Sequence, residues 1–324
     1  MLGASSDEIG LLYAVTALSS VMTLIVAGVI ADRYDRKKII LFAWLVWLPV
    51  PLIFSLASNW IQMLPGMILY GFWLSGPTGT AYVVTAADKN RLTLTFTILS
   101  ASWSLGYIFS PALGGYLSAN YGMQLVFHLS FILYLLAFLL LFPISSQHAS
   151  KLDSQPSFME LLKSRRLIGL SLFFAVIMFV LLMIRPLVPQ FLAEVYGYGD
   201  FEIGSLGSIS FLGSVILGIL FGKLGDKWRM PFSLAASMAI YSISLAFLVT
   251  FGNFTILLVA AFLAGASFIN WSLMSAIIGP LAPENARARW ISVPQTISMA
   301  ISFMAPYVGG IFYEFSPQYP FILA

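Results

Sequence analysis

Ten apolar stretches, each long enough to cross a lipid bilayer, take up most of this chain. A crossing needs roughly 20 apolar residues in helical form, because hydrocarbon leaves a bare N–H or C=O without a partner. The stretches run over 9–31, 38–57, 60–86, 92–118, 122–143, 167–193, 203–224, 231–251, 253–279 and 290–313. Charged residues make up 9% of the chain, against about 25% in an ordinary soluble domain. These numbers predict an all-α polytopic membrane protein, built in and against a bilayer.

The chain also repeats itself. Shifted by 194 positions, Glu8-Ile9-Gly10 falls on Glu202-Ile203-Gly204, Ser20-Val21 on Ser214-Val215, Gly28 on Gly222 and Asp32 on Asp226. The two copies occupy the same place in two apolar helices, each followed by a basic loop. Duplicated membrane halves suit a carrier in which two bundles rock about a site between them.

Charge gives the orientation. Fifteen of the 16 Lys and Arg residues lie on alternate loops, among them Arg33, Arg36, Lys37, Lys38, Lys223, Lys227 and Arg229. The other face carries acids: Asp7, Glu8, Glu194, Asp200, Glu202 and Glu314. The positive-inside rule places the basic face in the cytoplasm and the protein in the plasma or inner membrane. The remaining cation, Arg185, lies inside a span.

The one long polar segment predicts the division of the chain: a first helical bundle over 1–144, a cytoplasmic linker over 145–166 with a short surface helix at 158–164, and a second bundle over 167–324. In the repeat alignment Met1 falls opposite Val195, after the span at 167–193, so the first half has no partner for that span. Tyr319-Pro320-Phe321 reads as the start of a further helix. A parent of twelve spans in two sixes, lacking the first and most of the last, accounts for both observations.

Gly28-Val-Ile-Ala-Asp32-Arg33-Tyr34-Asp35-Arg36-Lys37-Lys38 resembles the loop signature of the major facilitator superfamily, with Asp35 where that signature has Gly. Gly222-Lys-Leu-Gly-Asp226-Lys227 is a weaker copy in register. Gly106-Tyr-Ile-Phe-Ser110-Pro111-Ala-Leu-Gly114-Gly115 resembles the Gly-Pro-x-x-Gly-Gly stretch of drug exporters, with Ser110 replacing Gly. Its counterpart, Pro306-Tyr-Val-Gly309-Gly310, is offset by 195. Exporters of this kind also carry an Arg four residues before a Gly in the fourth span; Gly71 fits the Gly, but Met67 holds the Arg position. The resemblance implies two bundles of six helices and transport of small molecules by alternating access. It implies a latch at Asp32 and Asp226 and a helix bend at the Pro-Gly-Gly stretches. An Asp near a helix C-terminus opposes the helix dipole and calls for an outside partner, which agrees with a latch.

Arg185 is the leading cavity candidate, because a charge within a span normally faces water or an acid. By resemblance the spans at 60–86 and 253–279 also line the cavity, and they offer Trp73, Tyr82, Asn270 and Trp271. Trp73 and Trp271 would bracket an amphipathic substrate and Asn270 would hydrogen-bond to it. Packing between helices explains any one of these equally well. His128, in the outer third of its span, reads as a packed or interfacial His.

Several classes are disfavoured. The chain has no Cys, hence no disulfide scaffold or thiolate metal site. No His/Asp/Glu cluster has metal-ligand spacing, no phosphate-cradling loop is present and no catalytic set converges, so neither cofactor nor enzyme activity is expected. The net charge of +3 is split among loops and gives no nucleic-acid footprint. No Asp or Glu sits mid-span, which leaves a coupling ion such as H+ without an evident carrier. The sequence predicts a monomeric transporter of small molecules. Efflux of amphipathic compounds comes first, then a nutrient or organic-anion carrier using Arg185, then a non-transporting sensor or scaffold on the same fold.

Overall fold

The computed structural model describes residues 2–31, 34–87, 92–147, 163–227, 230–278, 281 and 287–324. The described residues that take up regular structure are helical. In the first half these are α1 (Ser6–Ala31), α2 (Arg36–Trp47), α3 (Val50–Leu56), α4 (Leu64–Tyr70), α5 (Ser75–Ala86), α6 (Leu92–Tyr121) and α7 (Met123–Leu140). The second half contains α8 (Arg165–Ile184), α9 (Leu187–Tyr196), α10 (Asp200–Lys227), α11 (Met230–Thr250), α12 (Phe254–Ala264), α13 (Asn270–Ile278), α14 (Arg287–Ser302), α15 (Ala305–Phe315) and α16 (Tyr319–Leu323). The expected surface helix at 158–164 and most of the linker lie outside the described residues.

Helix ends follow local chemistry. Asp35 caps α2 and accepts a hydrogen bond from the Lys37 N–H. Ser164 caps α8 through the Leu167 N–H, and Asn253 caps α12 through Thr255 and Ile256. Side-chain oxygens at these positions satisfy donors that a helix start leaves free. Gly197, at φ 73, closes α9 in the left-handed conformation that glycine tolerates.

Among the described residues eight helical segments are long and apolar enough to cross a membrane. Of the two expected spans outside these eight, one differs from the sequence reading. The stretch at 60–86 is interrupted, ending α4 at Tyr70 and restarting as α5 at Ser75. The stretch at 92–118 is the 30-residue helix α6, one continuous helix of spanning length as the sequence predicts.

The two halves meet along a pair of seams that repeat one another. Helix α1 of the first half packs on α15 of the second, and α10 of the second packs on α6 of the first. Within the second half, α8 and α9 carry the core: Leu167, Phe174, Ile184, Leu187 and Phe191 are fully enclosed. Val293, Ser298 and Ser302 are buried, and Ser298 and Ser302 donate to the Ser171 and Ala175 carbonyls of α8. Their counterparts 195 positions earlier are Ile98 (57% exposed), Trp103 (66%) and Tyr107 (54%). The described first half has no counterpart of α8, so those faces of α6 stay uncovered.

Candidate functional site

The middle of the molecule is built from interrupted helices. Beside the gap between α4 and α5, α12 tightens into a 3-10 turn over Gly265–Ile269, α8 stops at Arg185-Pro186, and α14 gives way to α15 after Ser302. An interruption inside a membrane is tolerated only where other groups take over the freed backbone bonds. Here α1 supplies them from one face. Thr16 donates to the Met67 carbonyl, Ser19 to Ile68 (2.7 Å) and Thr23 to Gly71, while the Trp73 N–H donates to the Thr23 hydroxyl (3.0 Å). Gly71 itself lies against the Thr16 carbonyl, and Gly265, its counterpart at offset 194, lies against the Ser210 carbonyl. The two breaks are therefore copies of one structure.

Arg185 stands at the break between α8 and α9, as the C-cap of α8. A cation there is favoured by the negative end of the helix dipole. Its guanidinium lies over the Phe268 ring, 4.6 Å from the centroid. Phe268 belongs to the 3-10 turn, so one break reads the other. Phe268 packs on Phe211 (4.8 Å between centroids), which stacks on Tyr107 of the first half (4.8 Å). Tyr13, Tyr70 and Tyr241 lie within electrostatic reach of Arg185. Tyr107 and Tyr134 join the group through Tyr70. A hollow of about 190 Å³ opens among Ser104, Tyr107, Phe211, Ser214, Val215 and Phe268. One cation from the second half thus lies within electrostatic reach of phenols from both halves.

The other cavity candidates are placed differently. Trp73 is 41% exposed and adjoins Trp47, itself in a row with Trp44 and Tyr134. Tyr82 stands apart, its hydroxyl donating to the Ser145 carbonyl at 3.0 Å. Asn270 is enclosed within the second bundle; it donates to the Ser267 carbonyl while its Oδ1 has no partner among the described residues. The side chain of Trp271 lies outside the described residues. The tyrosine group was missed in the sequence, because its members come from five separate helices and share no spacing.

The bend residues form the seams. A methyl group on Gly204 would collide with the Pro111 carbonyl, and one on Gly10 with that of Pro306. Gly115 abuts Asp200, Gly310 abuts Ser6, and Gly309 abuts Met183. Gly106 and Gly114 have room around them. The acid-bearing end is closed by hydrogen bonds between halves. The Ser6 N–H donates to Glu314 (2.8 Å), Gln190 to the Ser6 hydroxyl (2.8 Å), and Ser118 to Asp200; within α9, Gln190 also donates to Glu194 (2.9 Å).

At the basic end, Asp32, Arg33 and the side chain of Asp226 lie outside the described residues, so the latch rests on the sequence alone. Gly28 and Gly222 lie in the last turns of α1 and α10, and Lys227 ends α10, exposed. Arg36 is drawn in from the loop: it is buried in the first turn of α2 and donates to the Ala81 carbonyl (3.2 Å) and the Thr85 hydroxyl (2.6 Å) of α5. A larger hollow of about 380 Å³ lies here, among Tyr34, Asp35, Lys38 and Phe42, beside the motif loop and away from Arg185. Among the described residues no group of His, Asp and Glu is arranged to hold a metal ion.

The family model for the Major Facilitator Superfamily matches residues 1–199 and 170–324, which together take in the whole chain. Multidrug resistance protein 2 of Bacillus subtilis (strain 168) is 25% identical over 340 aligned residues, spanning 99% of this chain and 83% of that protein. Multidrug resistance protein MdtG of Yersinia enterocolitica is 27% identical over 255 aligned residues, spanning 74% of this chain and 61% of that one. The crystal structure of nucleoside transporter NupG superposes with a TM-score of 0.83 over 100% of this chain and 88% of that one, at 13% identity. A bacterial homolog of the human lysosomal transporter Spinster, in an inward-facing and occupied conformation, superposes at 0.74 over 96% of this chain and 75% of that one, at 18% identity.

Proposed function

This chain belongs to the Major Facilitator Superfamily, a multi-pass membrane transporter and not an enzyme, and from that premise we propose that it exports small amphipathic molecules by alternating access. The observation that carries this reading is the pair of related seams. Both close the acid-bearing end, and both bring backbone against backbone, glycine on carbonyl. Such surfaces part and re-form by rigid movement of one half against the other. The cluster around Arg185 lies between the halves, so their rocking changes which side of the membrane reaches it.

Export of amphipathic compounds is supported by the names of the multidrug resistance relatives and by the aromatic lining around Phe211, Phe268 and Tyr107. With no acid in mid-span, coupling to an ion such as H+ falls to Glu194, Asp200 and Glu314, the carboxylates that hold the seams. The working unit is one chain, since both halves of the site come from it.

The absence of Cys makes a direct test practical. Tyr116→Cys with Phe201→Cys, whose rings meet across the α6–α10 seam, joined by a short reducible cross-linker in proteoliposomes, should stop transport of a fluorescent amphipathic dye. Reduction should restore it. Undiminished transport in fully cross-linked protein would remove the rocking mechanism. Accumulation of dye on the side opposite to export would remove the assigned direction.

A further inference from the structure

We propose that the site around Arg185 selects aromatic organic anions. This rests on the transporter reading and names the substrate class of that same site. Among the described residues Arg185 has no carboxylate partner; its charge meets the Phe268 ring and the phenols. Tyr13, Tyr70, Tyr107, Tyr134 and Tyr241 likewise have no hydrogen-bond partner for their hydroxyls among the described residues. A cation inside a membrane is costly unless something compensates it, and a phenol hydroxyl is a donor that an anion satisfies. The hydroxyls of Tyr13, Tyr70 and Tyr241, on α1, α4 and α11, lie within electrostatic reach of that one positive charge.

The shape of the site adds the aromatic requirement. The Tyr107–Phe211–Phe268 row ends at Arg185, so a flat ring inserted along it places an acidic substituent at the guanidinium. The hollow of about 190 Å³ beside that row suits one or two fused rings. A cationic amphipath would meet Arg185 as a like charge, and a neutral one would leave it uncompensated. Both are discriminated against by the same residue.

The test uses the purified full chain in nanodiscs and three probes of one shape: naphthoate, naphthamide and naphthylmethylammonium. Binding is read by titration calorimetry, which needs no transport, so failure of this proposal and failure of the export reading are separable. Naphthoate should bind about ten- to a hundredfold more tightly than the amide, the range for a hydrogen bond to a charged group. The ammonium should bind most weakly. Arg185→Gln should erase the preference, and Arg185→Lys should keep part of it. Phe211→Leu should weaken all three probes together. Equal affinity of the three probes for the unaltered protein would overturn the proposal, and so would tighter binding of the ammonium. Should Arg185→Gln fail to fold, the unaltered protein and Arg185→Lys still decide. If Arg185→Gln folds and keeps the naphthoate preference, the anion is bound elsewhere and the proposal falls.

Discussion

Gly204 lies against the carbonyl of Pro111, with no room between them for a single methyl group. The same contact recurs between Gly10 and Pro306. Proline removes a donor from α6, and glycine on the opposing helix lets the backbones come into touch. Each half contributes the glycine to one seam and the proline to the other, so the seams are copies with the roles exchanged.

Glycine at the seams should therefore be irreplaceable, while glycine with open space around it should not. Gly204→Ala and Gly10→Ala each force the halves apart and should cost about 1–3 kcal/mol, the usual penalty of overpacking. Gly106→Ala and Gly222→Ala, with no neighbour within 4 Å of the added methyl, should leave stability unchanged. Thermal unfolding in detergent compares the four. Equal Tm values would show that the seams yield without cost.

Thr23 holds the break between α4 and α5 by accepting from the Trp73 N–H and donating to the Gly71 carbonyl. Thr23→Val keeps the shape and removes both bonds. It should destabilise the first bundle by about 1–2 kcal/mol, as expected for a membrane hydrogen bond left unmade. Thr23→Ser should restore most of the loss. Hydrogen exchange at the Trp73 amide reports the local effect.

Asp35 replaces the glycine of the family's loop signature and acts as a helix cap. Its carboxylate accepts from Lys37 and from the Gln147 N–H, and the Arg36 N–H donates to the Gln147 carbonyl. Asp35→Ala should cost about 1 kcal/mol and free the end of the first bundle to proteolysis near Gln147. Asp35→Asn should retain the cap. If Asp35→Ala and Asp35→Asn melt at the same temperature, the capping account fails.

Gln190 bridges the halves at the acidic end, between Ser6 and Glu194, while Tyr313 donates to the same Glu194 at 3.0 Å. Gln190→Leu should weaken the closed end by about 1–2 kcal/mol and raise its opening rate. With Tyr13→Cys as the sole thiol, labelling by an impermeant maleimide from the acidic side should become several times faster. Unchanged labelling would mean that Gln190 does not hold the closed end.

Much of the fold was legible because the bilayer enforces it. Apolar length sets the spans, and the offset of 194 identifies the halves without any structure. Of the acids expected to share one face, Glu194 and Glu314 meet around Ser6 and Gln190, and Asp200 meets Ser118. The break in the span at 60–86 escaped the reading, since Gly71-Phe-Trp-Leu74 is as apolar as its flanks and the stabilising hydroxyls sit on α1, some fifty positions away. Tyr82 and Asn270 qualified as cavity residues by type and span, yet their polar groups turn to Ser145 and Ser267.

The one-dimensional pattern decided that this protein is a helical membrane transporter made of two similar halves, because hydrophobic length, charge asymmetry and duplication are properties of the chain in order. Which residues meet in the centre was decided only by tertiary structure. Arg185 was visible as a lone charge. That its neighbours are Phe268 and the phenols of Tyr13, Tyr70 and Tyr241 follows from how interrupted helices of both halves converge. Contacts of that kind depend on distances between segments far apart in sequence, and no local pattern encodes them.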